Sequence, residues 1–589
     1  MEKNKVNIDK YMLQVEKPAR YLGNEINSIH KEEYKAHMCL FFPDIYEVGM
    51  SNLGFRILYS ILNKVDNFYL ERGFAPSQDM EEIMKTEKIP AFSLESKTPV
   101  KEFDIIGFSL SYEMSYPNVL NILDLAGIPV RVDERDESHP LIMGGGTCMM
   151  NPEPMEKFFD YIVIGDGEEN MAEISRRMVL NNGKTKAEKL VAIEDIEGVY
   201  IPTIHKGKKR IKRAIVKDLN NTISYSNQLV PYIEIVHDRA SVEIQRGCVR
   251  GCRFCQAGIV YRPLRERSLE NNLELINLMI NETGYSEVSL ASLSSSDYSN
   301  INELITGLKK DSKHKNLSIS LPSLRMNIDS VRTAEEISGG KRTGFTFAPE
   351  AGTQRMRDII NKGVTEEEII STAEEAIKAG WKSLKFYFMV GLPYETDEDI
   401  RGIHELSKKV SELCRKISKG INITISISNF IPKPHTPFQW CSQITFDEMS
   451  HKHNLLRTLF DKMKGCTLKI HSGKKSYLEG LVSRGDSKTG ELIELAWKKG
   501  VKLDDYRDNY SIWMEAIEEL GLDPKKYLGS RDLEGALPWD IVDIGVKKEF
   551  LVRELEKSKV AALTPECRIS CSNCGMLEIF PNCTRKREI

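Results

Sequence analysis

Three closely spaced cysteines are the feature that most constrains this chain. Cys248, Cys252 and Cys255 have C-x3-C-x2-C spacing and follow a strand-like run over residues 240–245. Three thiolates at this spacing can bind one corner of a [4Fe–4S] cubane and leave the fourth iron open to a small molecule. A zinc knuckle or buried thiols are the alternative, but zinc usually takes a fourth ligand, and residues 256–286 contain neither His nor Cys. The pattern therefore predicts an iron–sulfur site that performs chemistry.

The residues around this triplet resemble the signature of the radical S-adenosylmethionine (SAM) superfamily. Gln245-Arg246-Gly247 precedes the first cysteine, and Phe254 stands directly before the third. The resemblance implies a [4Fe–4S] cluster on the three cysteines, with S-adenosyl-L-methionine chelating the unique iron. It also implies reductive cleavage of SAM to a 5′-deoxyadenosyl radical, and hence a one-electron reductant such as flavodoxin or ferredoxin as a partner.

The composition is that of an ordinary globular protein. The 589 residues are 41% apolar and 29% charged, and the formal net charge of −4 points to no nucleic-acid or membrane-surface partner. The N-terminus is charged and no apolar run reaches about 18 residues, which argues against a signal peptide or a membrane span and predicts a cytoplasmic protein. The 12 cysteines form two tight clusters plus scattered single residues, which favours metal ligation in a reducing compartment over disulfides.

Strand-like and helix-like runs alternate over residues 241–434, as in parallel βα units. The alternation predicts an α/β fold with a partial (βα)6 barrel, which is also the fold of the superfamily that the cysteine segment resembles. The predicted strands are 242–245, 287–293, 317–324, 344–349, 383–391 and 421–430. In such barrels the reactive groups lie on loops after the strands, and the cysteine triplet directly follows the first strand.

The loops after the later strands supply candidate contacts for SAM. These residues are Ser294 and Ser295 after the second strand, Arg325 after the third, Glu350 after the fourth and Gly391 after the fifth. The superfamily usually has a Gly-Gly-Glu-like turn after the second strand that holds the SAM amino group, whereas this chain has Ser-Ser-Ser-Asp there. An ordinary ion pair at the barrel rim is the alternative for Arg325 and Glu350, and a plain strand-ending turn is the alternative at Gly391. No residue is identified as acting on the substrate.

A second βα pattern over residues 37–166 predicts a doubly wound, open-sheet domain. Glycines at its strand ends, namely Gly144, Gly145, Gly165 and Gly167, would let a bulky ligand approach the backbone. Together with the radical SAM unit, this domain resembles the cobalamin-binding domain fused ahead of many radical SAM enzymes. An α/β domain that binds no corrin is the alternative.

The loop after the first predicted strand departs from the pattern of cobalamin proteins that ligate cobalt through histidine. That pattern reads Asp-x-His-x-x-Gly, and here Tyr46 replaces the histidine between Asp44 and Gly49. Imidazole ligation from this loop is therefore excluded. Because a protonated phenol is a poor cobalt ligand near neutral pH, we expect Tyr46 to shield the lower face of cobalt, which would suit methyl transfer.

The C-terminal region repeats the spacing of the first triplet. Cys567, Cys571 and Cys574 form a second C-x3-C-x2-C, and Cys583 adds a fourth thiol. Four thiolates would close a site around structural zinc or an auxiliary iron–sulfur cluster, and the spacing does not separate the two metals. Free thiols in a tail are the alternative. Since this site follows no barrel strand, we do not expect it to cleave SAM.

These patterns divide the chain into four regions. A cobalamin-binding-like α/β domain is predicted at 1–198, a hairpin and linker at 199–236, the radical SAM barrel at 237–462, and a mainly helical region ending in the four-cysteine motif at 463–589. The linker holds a basic run at 205–213, which we interpret as a solvated face because aromatic stacking partners for RNA are missing around it.

Further phrases, among them residues 46–52 and 262–267, resemble a family of radical SAM proteins with a cobalamin-binding domain. The leading hypothesis is a cobalamin-dependent methylase that acts on an unactivated carbon. A methylthiotransferase acting on RNA or protein is one alternative, although that family has three cluster cysteines in its N-terminal domain, where this chain has Cys39 and Cys148. A non-catalytic regulatory protein that binds SAM and cobalamin is another. The substrate stays open, with RNA and protein both admitted.

Overall fold

The computed structural model describes residues 5–222, 228–310, 317–337, 344–502, 509–581 and 583. The N-terminal part contains the strands β1 (Ala36–Phe42), β2 (Phe68–Phe74), β3 (Ile105–Ser109), β4 (Leu141–Gly145), β5 (Tyr161–Val163) and β6 (Val199–Tyr200). They form one sheet in the order β2-β1-β3-β4-β5-β6, and all neighbours are parallel except β5 and β6. The direction of winding reverses between β1 and β3, which gives this doubly wound sheet a topological switch point.

Helices cover both faces of this sheet. They are α1 (Tyr46–Gly49), α2 (Leu53–Leu62), α3 (Gln78–Thr86), α4 (Tyr116–Leu125), α5 (Glu168–Leu180), α6 (Lys186–Val191) and α7 (Pro202–His205). Every residue of β1 is buried, because alternate side chains enter two different cores. Met38 and Leu40 pack with side chains of α2 and α5, whereas Cys39 and Phe41 pack with those of α4. A nearly continuous apolar run is typical of a strand that is covered on both faces.

The sequence analysis did not predict β2, because charged residues interrupt its apolar pattern. Glu71 and Arg72 lie in the middle of this strand and are fully buried. The Arg72 guanidinium pairs with Glu25 at 2.7 Å and with Glu95 at 2.6 Å, and Glu71 lies 2.8 Å from the ring nitrogen of His37. These ion pairs offset the cost of removing the charges from water.

The central part consists of parallel βα units. Its strands are β7 (Ile211–Lys212), β8 (Ala240–Glu243), β9 (Gln245–Arg246), β10 (Arg265–Glu266), β11 (Glu287–Ala291), β12 (Ser318–Ser320), β13 (Phe345–Glu350), β14 (Ser383–Val390), β15 (Asn422–Asn429) and β16 (Cys466–Ile470). Strands β8, β11 and β12 form one parallel sheet, and β13 to β16 form a second parallel sheet in sequential order. The pair β9 and β10 is antiparallel. The parallel arrangement agrees with the six predicted strands, and their closure into one (βα)6 barrel stays a prediction.

Helices alternate with these strands along the chain. They are α8 (Gln256–Val260), α9 (Leu269–Thr283), α10 (Ile301–Lys310), α11 (Ile328–Ile337), α12 (Gln354–Ile359), α13 (Glu366–Lys378), α14 (Asp397–Ile417) and α15 (Phe446–Phe460). A capping box starts α13, with Thr365 and Glu368 bonding each other's backbone N–H groups. The predicted end of the βα pattern near residue 462 is wrong, because β16 adds a further strand that pairs with β15. Its residues alternate between half-buried and exposed, so the short edge strand carries a weak apolar signal.

The C-terminal part is mainly helical. It contains α16 (Gly473–Ser483), α17 (Ser487–Lys498), α18 (Tyr510–Glu519), α19 (Pro524–Leu528), the short strand β17 (Val542–Asp543) and α20 (Lys548–Lys559). Strand β17 pairs with β7 in parallel, so β7 does not form the hairpin predicted for the linker. The buried Ile211 and Val542 lie more than 300 positions apart, and this pairing leaves no local sequence signal. No helix among the described residues is long and apolar enough to cross a membrane.

Candidate active site

The three cysteines of the first triplet lie on the loop between β9 and α8. The tight turn that begins this loop requires glycine, because Gly247 has φ +90° and a Cβ there would lie 2.6 Å from the carbonyl oxygens of Tyr261 and Pro263. All three cysteine side chains are half-buried. Backbone N–H groups donate to two sulfurs, from Arg250 to Cys248 Sγ at 3.5 Å and from Gly258 to Cys255 Sγ at 3.3 Å. Such donors stabilise negative charge on sulfur.

Burial disfavours the thiolate form of these cysteines. It raises the pKa of Cys248 to about 12 and the pKa of Cys255 to about 11. Burial also raises the pKa of Cys252, against the opposing effect of Lys362. Thiols of this kind lose their protons to a bound metal, so the loop is chemically suited to a metal–sulfur cluster and not to a free thiolate nucleophile.

Lys362 supplies positive charge beside these sulfurs. It lies just after α12, and its Nζ pairs with the Glu350 carboxylate at 3.2 Å. Burial acts against the charge of Lys362, but Glu350, Cys252 and Cys255 outweigh burial and raise the pKa of this lysine. The sequence analysis missed Lys362, because more than 100 positions separate it from the cysteines and no motif links them.

Arg250 supplies a second positive charge on the loop itself. Its Nε lies 3.0 Å from Asp297 Oδ2, and its guanidinium also pairs with Glu566 of the C-terminal tail. The Ser294 hydroxyl donates to Asp297 at 2.7 Å. The loop after β11, which contains the predicted SAM contacts Ser294 and Ser295, is therefore tied to the cysteine loop.

The structure gives the other predicted SAM contacts different surroundings. The Ser295 side chain is fully buried and its hydroxyl donates to the Leu290 carbonyl at 3.0 Å, so this hydroxyl has a structural partner. The Arg325 guanidinium lies 3.4 Å from the Gly363 carbonyl, beside Lys362. Glu350 pairs with Lys362, in place of the rim ion pair with Arg325 that the sequence analysis weighed.

Gly391 has the geometry of a strand-ending turn. Its φ is +84°, and a Cβ there would lie 2.7 Å from the Ile444 side chain. The Gly391 N–H donates to the Glu395 carboxylate at 2.7 Å. The contact with Ile444 is enough to explain why this position is glycine. The predicted contact of Gly391 with SAM stays a prediction.

A cavity of about 350 Å³ lies between the N-terminal sheet and the cysteine loop. It opens at the carboxyl ends of β1, β3, β4 and β5, which is where doubly wound sheets bind ligands. Its lining includes Leu53, Gly54, Ser109, Gly145, Gly146, Thr147, Gly165, Gly167, Gln245, Arg246, Tyr261 and Ser292. The predicted residues Gly145, Gly165 and Gly167 are thus brought together around one cavity.

Two of the predicted glycines are required by neighbouring protein atoms. Gly144 does not line the cavity, and a Cβ there would lie 2.6 Å from the Phe159 ring. Gly165 has φ +107°, and its Cβ would lie 2.3 Å from the Ala214 carbonyl oxygen. Protein packing alone is therefore enough to require glycine at both positions, and the predicted ligand contacts of Gly144 and Gly165 stay predictions.

Tyr46 does not line this cavity. It lies in α1, it is 2% exposed, and its hydroxyl donates to Glu25 at 2.8 Å. Its ring packs edge-on against Phe74. The Tyr46 side chain thus packs in the core, and the expectation that it shields the lower face of cobalt stays a prediction.

A buried ion-pair network joins the N-terminal sheet to the cysteine loop. Arg246, next to Gly247, pairs with Glu243 at 2.7 Å, with Glu168 at 2.5 Å and with Asp166 at 3.1 Å. Arg265 pairs with Asp166 at 2.5 Å. Burial would raise the pKa of Asp166, but Arg246 and Arg265 outweigh it and lower this pKa to about 2. The network therefore ties the strand end of β5 to the start of the loop.

The C-terminal cysteines lie next to the first triplet. The Cys567 N–H donates to the Val249 carbonyl at 3.0 Å. Cys248 and the four C-terminal cysteines, Cys567, Cys571, Cys574 and Cys583, line one open cavity of about 1370 Å³. Within the described ranges, no three His, Cys, Asp or Glu side chains converge closely enough to hold a single metal ion.

Two family models match the chain. The model described as radical SAM proteins, N-terminal, matches residues 54–202, and the model described as radical SAM superfamily matches residues 242–407. An uncharacterised protein of Methanocaldococcus jannaschii is 29% identical over 502 residues, which cover 82% of this chain and 98% of that protein. A Pyrococcus horikoshii protein, named as an uncharacterised methyltransferase, is 24% identical over 328 residues, or 53% of this chain and 66% of that protein.

Several solved structures are similar over most of the chain, and one of them serves as the example. It is the cobalamin-dependent S-adenosylmethionine radical enzyme OxsB with aqua-cobalamin and S-adenosylmethionine bound. The TM-score is 0.47 and the sequence identity is 13%. The similarity covers 89% of this chain and 79% of that one.

Proposed function

Because the chain belongs to the radical SAM superfamily, we propose that Cys248, Cys252 and Cys255 hold a [4Fe–4S] cluster at which SAM is cleaved reductively. When bound, the cluster and SAM supply a 5′-deoxyadenosyl radical that abstracts hydrogen from the substrate. The observation that carries this proposal is the cysteine loop itself, which presents three half-buried thiols and directs backbone N–H groups to two of them. A fourth iron would have no protein ligand from this loop.

The charged neighbours of the loop support the same proposal. Lys362 and Arg250 place positive charge near the sulfurs, which favours an anionic cluster. Glu350 and Asp297 hold these two cations by ion pairs. Arg250 and Asp297 lie on the loops after β9 and β11, Glu350 ends β13, and Lys362 follows α12, so these ion pairs bring the ends of three parallel βα units to one site.

We propose that the open cavity of about 350 Å³ at the switch point receives part of a cobalamin molecule, which is larger than this volume. Its position at the carboxyl edge of a doubly wound sheet supports this assignment. The Gln245 side chain lines the cavity, and its Oε1 is buried without a hydrogen-bond partner among the described residues. Such an acceptor calls for an N–H group from a ligand, and the corrin periphery carries amides. Bound cobalamin would supply the methyl group, in keeping with the methyltransferase name of the P. horikoshii relative.

The first experiment tests SAM cleavage. Anaerobically reconstituted protein is mixed with dithionite and SAM, and 5′-deoxyadenosine is quantified. We expect product from the wild-type protein and from Cys466→Ala, whose cysteine lies on the edge strand β16, and none above background from Cys252→Ala. A fully loaded cluster that forms no 5′-deoxyadenosine would overturn the proposal.

The second experiment tests the cobalamin site. A Cβ at Gly145 would have ordinary contacts, 3.6 Å from the Val163 carbonyl and 3.8 Å from Met143 Sδ. Gly145→Leu should therefore fill the cavity with little strain, while Gly145→Ala serves as the matched control. Spectrophotometric titration should show corrin binding to wild type and to the alanine variant, with at least about 10-fold weaker binding to the leucine variant. If the wild-type protein binds no corrin, the proposal of a cobalamin site is wrong.

A further inference from the structure

The four-cysteine tail is fixed against the first cysteine loop by several contacts. The Cys567 N–H donates to the Val249 carbonyl at 3.0 Å. On either side of Cys567, Glu566 pairs with Arg250, and Arg568 pairs with Glu266 at 2.6 Å. The tail is therefore built into the wall of the site, which a free thiol-bearing tail would not require.

The two cysteine motifs share one detail of local geometry. In the first motif Cys248 Sγ accepts the backbone N–H of the residue two positions later, at 3.5 Å. In the second motif Cys571 Sγ accepts the N–H of Asn573, also two positions later, at 3.4 Å. Backbone N–H groups directed at cysteine sulfur are a usual means of tuning iron–sulfur clusters. The second loop thus repeats the spacing of the first and also directs a backbone N–H group at a cysteine sulfur, although at its second cysteine and not at its first.

Arg262 lies between the two motifs and lacks an ordinary counter-ion. Its side chain is 3% exposed, its Nε lies 3.3 Å from the Gly258 carbonyl, and its guanidinium stacks 4.9 Å from the Phe550 ring centre. Its Nη1 has no hydrogen-bond partner and no carboxylate pairs with it in the part of the chain that the structure describes.

A buried guanidinium needs negative charge nearby, because an unpaired buried cation is strongly destabilising. Neutral thiols do not supply that charge, whereas thiolates bound to a metal cluster do. The cavity bordered by Arg262, Cys248 and the four tail cysteines has a volume of about 1370 Å³. Thiolates bound to zinc would supply the same charge, but within the described ranges no three ligand side chains converge closely enough to hold a single metal ion, which favours a larger multi-iron cluster over zinc.

We infer that Cys567, Cys571, Cys574 and Cys583 hold a second, closed iron–sulfur cluster beside the SAM-cleaving site, and that Arg262 compensates the charge of both clusters. The second cluster has four protein ligands and leaves no iron for SAM. This inference does not depend on methyl transfer or on cobalamin.

Two complementary variants test the metal assignment. Replacing Cys248, Cys252 and Cys255 by alanine leaves the second site alone, and replacing Cys567, Cys571 and Cys574 leaves the first. Iron, zinc and acid-labile sulfide are counted on anaerobic protein, with about eight irons expected for wild type and about four for each variant. EPR spectra should respond to SAM in the second variant and not in the first. Stoichiometric zinc at the tail, or unchanged iron after its cysteines are removed, would overturn the inference.

Arg262 is tested by its effect on reduction potential. In the variant that retains the tail site alone, Arg262→Met should shift the potential of the remaining cluster to more negative values, because a nearby positive charge is lost. Arg262→Lys is the matched control that keeps the charge and should shift it less. Equal potentials in all three proteins, at equal iron content, would contradict the proposed role of Arg262.

Discussion

The two cysteine motifs have the same spacing and different surroundings. The first begins at a glycine turn after β9 and lies beside the strand-end residues Glu350 and Asp297, with their cations Lys362 and Arg250. The second lies after α20, beyond the last strand, and is bordered by Arg262 and its own fourth thiol. On the proposed assignment, the shared C-x3-C-x2-C spacing lets both motifs bind a cluster, whereas the strand ends and the fourth cysteine decide whether one iron stays open.

Removal of one cysteine from each motif should have the largest effect on SAM cleavage. It separates the SAM-cleaving role of the first motif from the role of the second. Cys252→Ala should lower 5′-deoxyadenosine formation to background, because it removes a ligand of the open cluster. Cys571→Ala should leave measurable formation, because the second site does not bind SAM. An equal loss of 5′-deoxyadenosine formation in both variants would show that the two motifs do not have the separate roles proposed here.

Each loop also depends on one glycine, and these glycines allow a matched test. A Cβ at Gly247 would lie 2.6 Å from two carbonyl oxygens, and a Cβ at Gly575 would lie 2.8 Å from the Gly545 carbonyl oxygen. Both residues have positive φ. We expect Gly247→Ala to lower iron bound by the first site and Gly575→Ala to lower iron bound by the second, as measured by iron counts and EPR. Each substitution should also cost about 1–3 kcal/mol of stability. Retention of both clusters in both variants would show that neither turn is needed.

A substitution at Lys362 tests the charge that the first motif has beside it and the second motif lacks. Lys362→Met removes the cation beside Cys252 and Cys255 and leaves Glu350 without its ion pair. We expect SAM cleavage to fall by about 10- to 100-fold, with iron at the second site unchanged. Lys362→Arg, which keeps the charge, is the control. An unchanged rate in the methionine variant would exclude this cation from the site.

The ion-pair network at Asp166 gives a smaller, pH-dependent effect. The pKa of Asp166 in the folded protein is about 2, below its ordinary value of 3.8. A carboxyl group whose pKa is lowered by folding stabilises the folded protein at pH values above its ordinary pKa. This stabilisation is lost as the pH falls from about 4 towards 2. Asp166→Asn should therefore lower the free energy of unfolding by about 3–5 kcal/mol at neutral pH and by less at acid pH.

Urea unfolding of Asp166→Asn at several pH values measures this difference. The control is Asp329→Asn, whose carboxylate is 85% exposed and should change stability little. A loss of stability in Asp166→Asn that did not depend on pH would show that the charge of Asp166 is not what joins the N-terminal sheet to the cysteine loop.

The elements with a regular pattern could be predicted from the sequence. Strand-like runs predicted the six parallel strands β8 and β11 to β15. The resemblance of the first cysteine segment to the radical SAM superfamily is confirmed by the two family matches. Strands β2 and β16 were not predicted. Charged residues that form buried ion pairs interrupt the apolar pattern of β2, and β16 is a half-exposed edge strand.

The residues that surround the cysteines could not be predicted in the same way. Lys362 and Arg262 reach the sulfurs from segments without a shared motif, so their roles depend on tertiary packing. For Tyr46, the family pattern gave the position along the chain but not the direction of the side chain, which depends on packing. Its hydroxyl contacts Glu25 in the core.

The central claim is that Cys248, Cys252 and Cys255 hold a cubane whose open iron binds SAM. EPR spectroscopy of the dithionite-reduced protein, with and without SAM, tests it most directly when the tail cysteines Cys567, Cys571 and Cys574 are replaced by alanine. We expect a [4Fe–4S]⁺ signal whose g-values change when SAM is added. A missing cubane signal, or a signal that SAM leaves unaltered, would contradict the account.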